Sequence, residues 1–216
     1  MKALLLYGAN CTVGIWNQWK EELKEENFEY VEYPHEVTSN AKSVTDVTEW
    51  VYQKYGKESF DILIGHSMGG IIALELAAKF DMSCNKVIFI ESNLRPAKSF
   101  YRNLMTEENR KHYGDEVIPM LRGEDIFYSV ELKKALQEDY DYSDYIKQFS
   151  GEVYGIYGDR GVREYKDRYA DLCLDEKVEN KIQFYFVEDA CHLPMIENMK
   201  GLAEVIRVIL LKKFMR

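Results

Sequence analysis

The chain has 216 residues, of which 46% are hydrophobic and 30% charged, a size and composition typical of one soluble globular domain. Its formal net charge of -9 argues against a nucleic-acid partner, because proteins that bind phosphate backbones concentrate Lys and Arg. No apolar run has the length of a membrane span or of a signal peptide, so no membrane partner is expected. The 4 Cys and 4 His residues lack metal-ligand spacing, and we expect a cytoplasmic protein with reduced thiols.

Short apolar runs of strand length alternate with segments of helical periodicity along most of the chain. Strands are predicted at 3–7, 28–33, 60–64, 87–90, 152–157 and 181–187. Helices are predicted at 14–26, 43–55 and 71–80, with a last amphipathic helix at 200–214. Strands joined by helices need crossover connections, so this order predicts a mostly parallel six-stranded sheet with helices on both faces.

Residues 95–150 interrupt the alternation, because they are polar, rich in Tyr and without a strand signal. The segment is too long for an ordinary connection, so we interpret it as a helical cap inserted into a single domain that spans 1–216. Its aromatic side chains either line an apolar pocket or merely pack the cap onto the sheet; they include Phe100, Tyr101, Tyr113, Phe127 and Tyr128.

The third predicted strand runs directly into Gly-His-Ser-Met-Gly-Gly at 65–70, and an Ala- and Leu-rich helix follows. A G-x-S-x-G turn between a strand and a helix is the setting of a nucleophilic serine. Gly65 and Gly69 keep side chains away from closely packed backbone, and Ser67 stands at a helix N-terminus that favours a developing anion. Ser67 is the candidate nucleophile; the alternative is a tight turn without chemistry.

A serine hydroxyl is a poor nucleophile until a base takes its proton. His192 is the best placed base, since it lies in the loop after the last predicted strand and before the last helix. The other histidines fit less well: His35 follows an early strand, His112 lies in the cap segment, and His66 is expected to face away from the adjacent Ser67.

The motif around Ser67, together with Cys-His-Leu-Pro-Met-Ile-Glu-Asn before the closing helix, resembles the signatures of the α/β-hydrolase superfamily over nearly the whole chain. The resemblance implies a three-layer α/β fold and serine hydrolase chemistry without cofactor or metal. Tyr7-Gly-Ala-Asn stands where members usually carry His-Gly-x-x. By that match the oxyanion donors are the backbone N–H groups of Met68 and Ala9, with Asn10 or Cys11 bordering the same site.

The acidic member of the triad is left open. Members usually supply Asp in a Gly-x-x-Asp pattern, but the expected position holds Gly161, and Asp159 lies two residues earlier. Asp159 is the first candidate and Glu91, after the fourth strand, is the alternative, because some members place their acid there. A site with no acid is the third option. Asp189 is too close along the chain to His192 to be a comfortable partner.

The leading hypothesis is hydrolysis of a carboxylic ester or thioester in a small acyl substrate, through an acyl-enzyme on Ser67 with His192 as base. Acyl transfer or C–C bond hydrolysis would use the same triad. A non-catalytic ligand-binding protein is the alternative from another class, motivated by Gly161 where an Asp is expected. No sequence pattern indicates the natural substrate or the oligomeric state.

Overall fold

The structure, a computed structural model, describes residues 1–212. Its strands are β1 (Lys2–Leu6), β2 (Asn27–Tyr30), β3 (Ile62–His66), β4 (Lys86–Ile90), β5 (Glu152–Gly158) and β6 (Ile182–Val187). They form one 6-stranded sheet in the order β2-β1-β3-β4-β5-β6, and every neighbouring pair is parallel. The predicted parallel sheet is therefore confirmed.

The helices fill the connections between these strands. They are α1 (Asn17–Glu22), α2 (His35–Asn40), α3 (Val44–Tyr55), α4 (Met68–Ala78), α5 (Glu107–Asp125), α6 (Val130–Ala135), α7 (Asp144–Gln148), α8 (Glu176–Glu179), α9 (Pro194–Glu197) and α10 (Met199–Leu211). Short 3₁₀ turns occur at Val13–Trp16, Ser99–Arg102 and Ala170–Leu172. Helix α4 packs on β1, β3 and β4 and contacts α3 and α7, whereas α10 contacts α1 and β6. The sheet is thus layered between helices, and its central strands β3 and β4 are buried along their whole length.

Several boundaries differ from the sequence-based prediction for local reasons. Strand β2 ends at Tyr30, because the backbone N–H of Tyr33 donates to the Tyr7 hydroxyl instead of extending the sheet. The helix predicted at 14–26 is a 3₁₀ turn followed by the short α1. Helix α3 begins after Ser43, whose side chain accepts the Asp46 N–H in a capping box. Of the helix predicted at 200–214, residues 213 and 214 lie outside the described part.

Residues 95–150 contribute helices α5, α6 and α7, of which α7 packs against α4. This segment is anchored to α2 through hydrogen bonds of Thr38. The Thr38 hydroxyl donates to the Phe127 carbonyl at 2.6 Å, and the Ser129 N–H donates to the Thr38 carbonyl at 3.1 Å. Within residues 1–212, none of the helices has both the length and the apolar character that a bilayer crossing requires.

Candidate active site

Ser67 lies at the turn between β3 and α4 in a strained backbone conformation, with φ 52° and ψ -120°. Its N–H donates to the Ile90 carbonyl at 2.8 Å, which ties the turn to the end of β4. A Cβ atom on Gly65 would lie 2.0 Å from the Gly69 carbonyl oxygen, and one on Gly69 would lie 2.2 Å from that of Leu6. The turn therefore requires both glycines, and it holds the half-buried Ser67 at the start of a helix.

The two residues expected to supply oxyanion donors, Met68 and Ala9, line one cavity together with Ser67. Met68 is the first residue of α4, where backbone N–H groups have no partner in the preceding turn. Ala9 follows the end of β1, and Tyr7 fixes that end by accepting the Tyr33 N–H at 2.9 Å. Tyr7 is buried, so the residue that replaces the usual His of this loop serves as a support in the core.

His192 lies between β6 and α9, with a side chain that is 27% exposed. Its backbone is held from two sides: its N–H donates to the Leu104 carbonyl at 3.1 Å, and its carbonyl accepts Nε2 of His66 at 2.8 Å. Since a carbonyl only accepts, the His66 proton lies on Nε2. The contact of His66 with the His192 loop was not anticipated from the sequence.

His66 is fully buried, and its Nδ1 has no hydrogen-bond partner among the described residues. Burial, and secondly the neighbouring His192, lower the pKa of His66 to about 3. His66 is therefore neutral near pH 7 and acts as a hydrogen-bond donor to the loop of the candidate base.

Glu91 follows β4 with a positive φ of 52°, and its side chain is 0% exposed. Its Oε2 lies 3.6 Å from Nδ1 of His192, slightly beyond hydrogen-bond distance. Catalytic hydrogen bonds are often this long before substrate binds. Burial opposes ionisation of Glu91, but the Arg160 guanidinium and the His192 imidazole bring the pKa of Glu91 below its ordinary value. Glu91 is thus an ionised carboxylate beside the imidazole.

Asp159 occupies a different place from the one expected for the first candidate acid. Its Oδ1 accepts the backbone N–H groups of Gly161 and Asp189, both at 2.8 Å. The carboxylate is buried and stabilises the turn after β5 and the loop after β6. Of the two candidate acids, the structure brings Glu91, and not Asp159, to the ring of His192.

Comparisons with known proteins agree with this architecture. The family model described as the alpha/beta hydrolase fold matches residues 24–122. A bromoperoxidase from Bacillus anthracis superimposes with a TM-score of 0.77 at 14% identity, covering 98% of this chain and 92% of that chain. The chain therefore has the α/β-hydrolase fold.

Two further solved structures are similar to this chain. An enol-lactonase from Burkholderia xenovorans LB400 has a TM-score of 0.70 at 14% identity, with 97% of this chain and 91% of that chain covered. A thermophilic esterase from Thermogutta terrifontis has a TM-score of 0.68 at 17% identity, with 97% and 89% covered. No curated protein matches the sequence. At such identities the likeness establishes the fold.

An unexpected basic residue, Arg160, lies next to the candidate triad. Its guanidinium donates to both carboxylate oxygens of Glu91, from Nη1 at 2.7 Å and from Nη2 at 2.6 Å. The sequence carried one indirect signal of this role: Arg160 lies in the loop where the resemblance implies an acid. That signal does not reveal a partner 69 residues away.

Two adjoining cavities open on the site. The smaller, of about 210 Å³, is lined by Ser67 and His192, and the larger, of about 460 Å³, is reached past His192 and Tyr140, which line both. Of the aromatic residues predicted for the cap, Tyr101 lines the larger cavity. Phe127 instead stacks on His35 with ring centroids 3.6 Å apart. Among residues 1–212, no cluster of His, Cys, Asp or Glu side chains is arranged to hold a metal ion.

Proposed function

We propose that this protein is a serine hydrolase that cleaves a carboxylic ester or thioester of a small molecule through an acyl-enzyme intermediate. One observation carries the proposal: Ser67, in its strained turn, lines the same cavity as His192, whose Nδ1 faces the buried carboxylate of Glu91. A nucleophile, a base and an orienting acid from three separate segments therefore converge on one site.

The proposed reaction has two steps. Ser67 Oγ attacks the acyl carbonyl while Nε2 of His192, the ring nitrogen opposite Glu91, takes the hydroxyl proton. The N–H groups of Met68 and Ala9 stabilise the resulting oxyanion. The tetrahedral intermediate collapses as His192 passes its proton to the leaving alcohol or thiol. A water molecule then attacks the acyl-serine by the same proton route and releases the carboxylic acid.

Glu91 is the proposed acid in place of Asp159. When His192 takes the proton of Ser67 it becomes an imidazolium, and its Nδ1–H then faces a carboxylate that is already ionised. Shortening of the 3.6 Å separation in that state would stabilise the charge that forms during the reaction. Asp159 is committed to two backbone N–H groups and has no comparable access.

The decisive test uses p-nitrophenyl esters of short acids and a fluorophosphonate probe on the purified protein. Ser67→Ala should abolish both ester turnover and covalent labelling, because no other group supplies the attacking oxygen. Ser59→Ala, at an exposed position outside both cavities, is the matched control and should behave as wild type. Undiminished turnover by a folded Ser67→Ala variant would exclude the proposed mechanism.

A second candidate, a non-catalytic ligand-binding protein on the same fold, is favoured by one observation. Both oxygens of Glu91 are engaged by Arg160, which reduces the negative charge available to His192. Ligand binding in the cavities without labelling of Ser67 would support this candidate.

Acyl transfer and C–C bond hydrolysis use the same triad. Product analysis with and without an added alcohol acceptor would distinguish transfer from hydrolysis.

A further inference from the structure

Arg160 and Glu91 form an ion pair that is withdrawn from solvent. Their side chains are 4% and 0% exposed, and the guanidinium faces the carboxylate through two parallel hydrogen bonds of 2.6 and 2.7 Å. Gly158 adds its backbone N–H to Oε1 of Glu91 at 2.6 Å. A buried pair needs such complete hydrogen bonding to offset the loss of hydration. The orientation of the Glu91 carboxylate is therefore fixed from several directions.

The guanidinium is itself held in one orientation. Nε donates to the Phe100 carbonyl at 3.0 Å, and Nη1 donates also to the Gly158 carbonyl at 2.6 Å. Its central carbon lies 4.6 Å from the ring centroid of Tyr101, a stacking contact that suits a planar guanidinium better than an ammonium group. Arg160 is thus a rigid support, although it lies outside the set of residues lining the two cavities.

The same carboxylate oxygen links this support to the site. Oε2 of Glu91 accepts from Nη2 of Arg160 at 2.6 Å and lies 3.6 Å from Nδ1 of His192. We propose that Arg160 is a positioning residue for the reaction: it aims Oε2 of Glu91 at the imidazole. This inference rests on the proposed function, and it assigns a role to a residue that does not contact the substrate.

Other charged and titratable groups lie near the imidazole. His66 faces the ring from the end of β3, with centroids 4.9 Å apart, and is neutral near pH 7. Lys133 lines the smaller cavity but is paired with Asp125 at 2.9 Å, and Tyr140 lines it from the loop after α6. Glu197, from the loop's own α9, accepts backbone N–H groups of that loop. Glu91 is the carboxylate that faces Nδ1 of His192, and Arg160 is its partner.

The first test is Arg160→Lys, which keeps the positive charge but removes the two parallel N–H donors of the guanidinium. An ammonium group cannot hold both carboxylate oxygens in one plane, so Glu91 should lose its fixed orientation. We expect kcat for a p-nitrophenyl ester to fall about tenfold or more, with KM within about twofold of wild type, because substrate contacts are unchanged. Arg163→Lys is the matched control. Arg163 lies in the same loop as Arg160, and its ion pair with Glu188 is exposed. A folded Arg160→Lys variant with wild-type kcat would overturn the proposal.

The second test removes both charges together in the double variant Glu91→Gln, Arg160→Met. Neutral replacement of a buried pair is tolerated better than removal of one partner, so this variant keeps the proposal testable if the single variant fails to fold. The readout is kcat for a p-nitrophenyl ester, measured for Glu91→Gln and for the double variant. We expect kcat of the double variant to be no lower than that of Glu91→Gln, since Arg160 acts through the carboxylate that both variants lack.

A kcat of the double variant at least tenfold below that of Glu91→Gln would overturn the proposal, because Arg160 would then act on the reaction by a route other than Glu91. Failure of the proposed function would appear instead as ester turnover or fluorophosphonate labelling that survives Ser67→Ala, so the two failures are distinguishable.

Discussion

The carboxylate of Asp159 binds the backbone of Asp189: its Oδ1 accepts the Asp189 N–H at 2.8 Å. The bond joins the loop after β5 to the loop after β6, and His192 lies three positions farther along that second loop. The same oxygen also accepts the N–H of Gly161 within its own turn. Asp159, near the position where an acid is expected, thus has a structural role, and the carboxylate that faces His192 is that of Glu91, which follows β4.

This arrangement predicts unequal effects for the two carboxylates. Glu91→Gln should lower kcat for a p-nitrophenyl ester about 10²- to 10⁴-fold, because the imidazolium loses its charged partner. Asp159→Asn should retain most of the activity, since the amide oxygen can still accept both backbone N–H groups. Glu91→Gln leaves Arg160 buried without its partner, which in comparable cases lowers the free energy of unfolding by about 3–5 kcal/mol. Circular dichroism must therefore show that the variant is folded. A larger loss of kcat in Asp159→Asn would return Asp159 to the role of acid.

The turn around Ser67 requires glycine at position 69, although this position lies in helix α4, where alanine has the higher helix propensity. Gly69→Ala should reduce the free energy of unfolding by about 3 kcal/mol or more, because its Cβ would meet the Leu6 carbonyl oxygen at 2.2 Å. Gly123→Ala is the control, since Gly123 also lies in a helix, α5, and its Cβ would meet no atom within 4 Å. That control should gain about 0.5–1 kcal/mol. Urea denaturation measures both, and equal effects would contradict the crowded turn.

Buried His66 predicts a pH dependence of stability. Its pKa of about 3 in the folded state lies below the ordinary value of 6.5, so between these values the unfolded chain binds more protons and stability falls as pH falls. From pH 7.5 to pH 5 this group should cost about 2 kcal/mol. His66→Gln should remove that part of the slope in denaturation curves, whereas the exposed His112→Gln should retain it. Parallel slopes for wild type and His66→Gln would refute the assignment.

Tyr140 predicts a change in substrate range, because it lines both cavities. Tyr140→Ala should open the smaller cavity into the larger one and raise kcat/KM for a p-nitrophenyl octanoate relative to acetate by about tenfold. Tyr169→Ala is the control: Tyr169 is 42% exposed and packs on Phe184, with ring centroids 5.5 Å apart, away from both cavities. An unchanged ratio in Tyr140→Ala would mean that the acyl chain does not pass between the cavities.

The sequence by itself determined the parallel sheet and the turn at Ser67, because both depend on patterns of residues that are close together in the chain. A strand that is buried on both faces reads as a continuous apolar run, and a tight strand-to-helix turn needs glycine at fixed positions. The position of His192 in chain order could be predicted for a similar reason, since it lies between the last strand and the closing helices.

Only the tertiary structure decided which carboxylate faces the imidazole. Strands β4 and β5 are neighbours with Ile90 opposite Ile156, so the residues after both strands emerge at one edge of the sheet. The sequence alone makes Glu91 and Asp159 equally good candidates for the acid at that edge. Their hydrogen bonds distinguish them: Glu91 binds the Arg160 guanidinium, whereas Asp159 accepts two backbone N–H groups. Such choices depend on contacts between residues far apart in the chain, which short-range patterns do not encode.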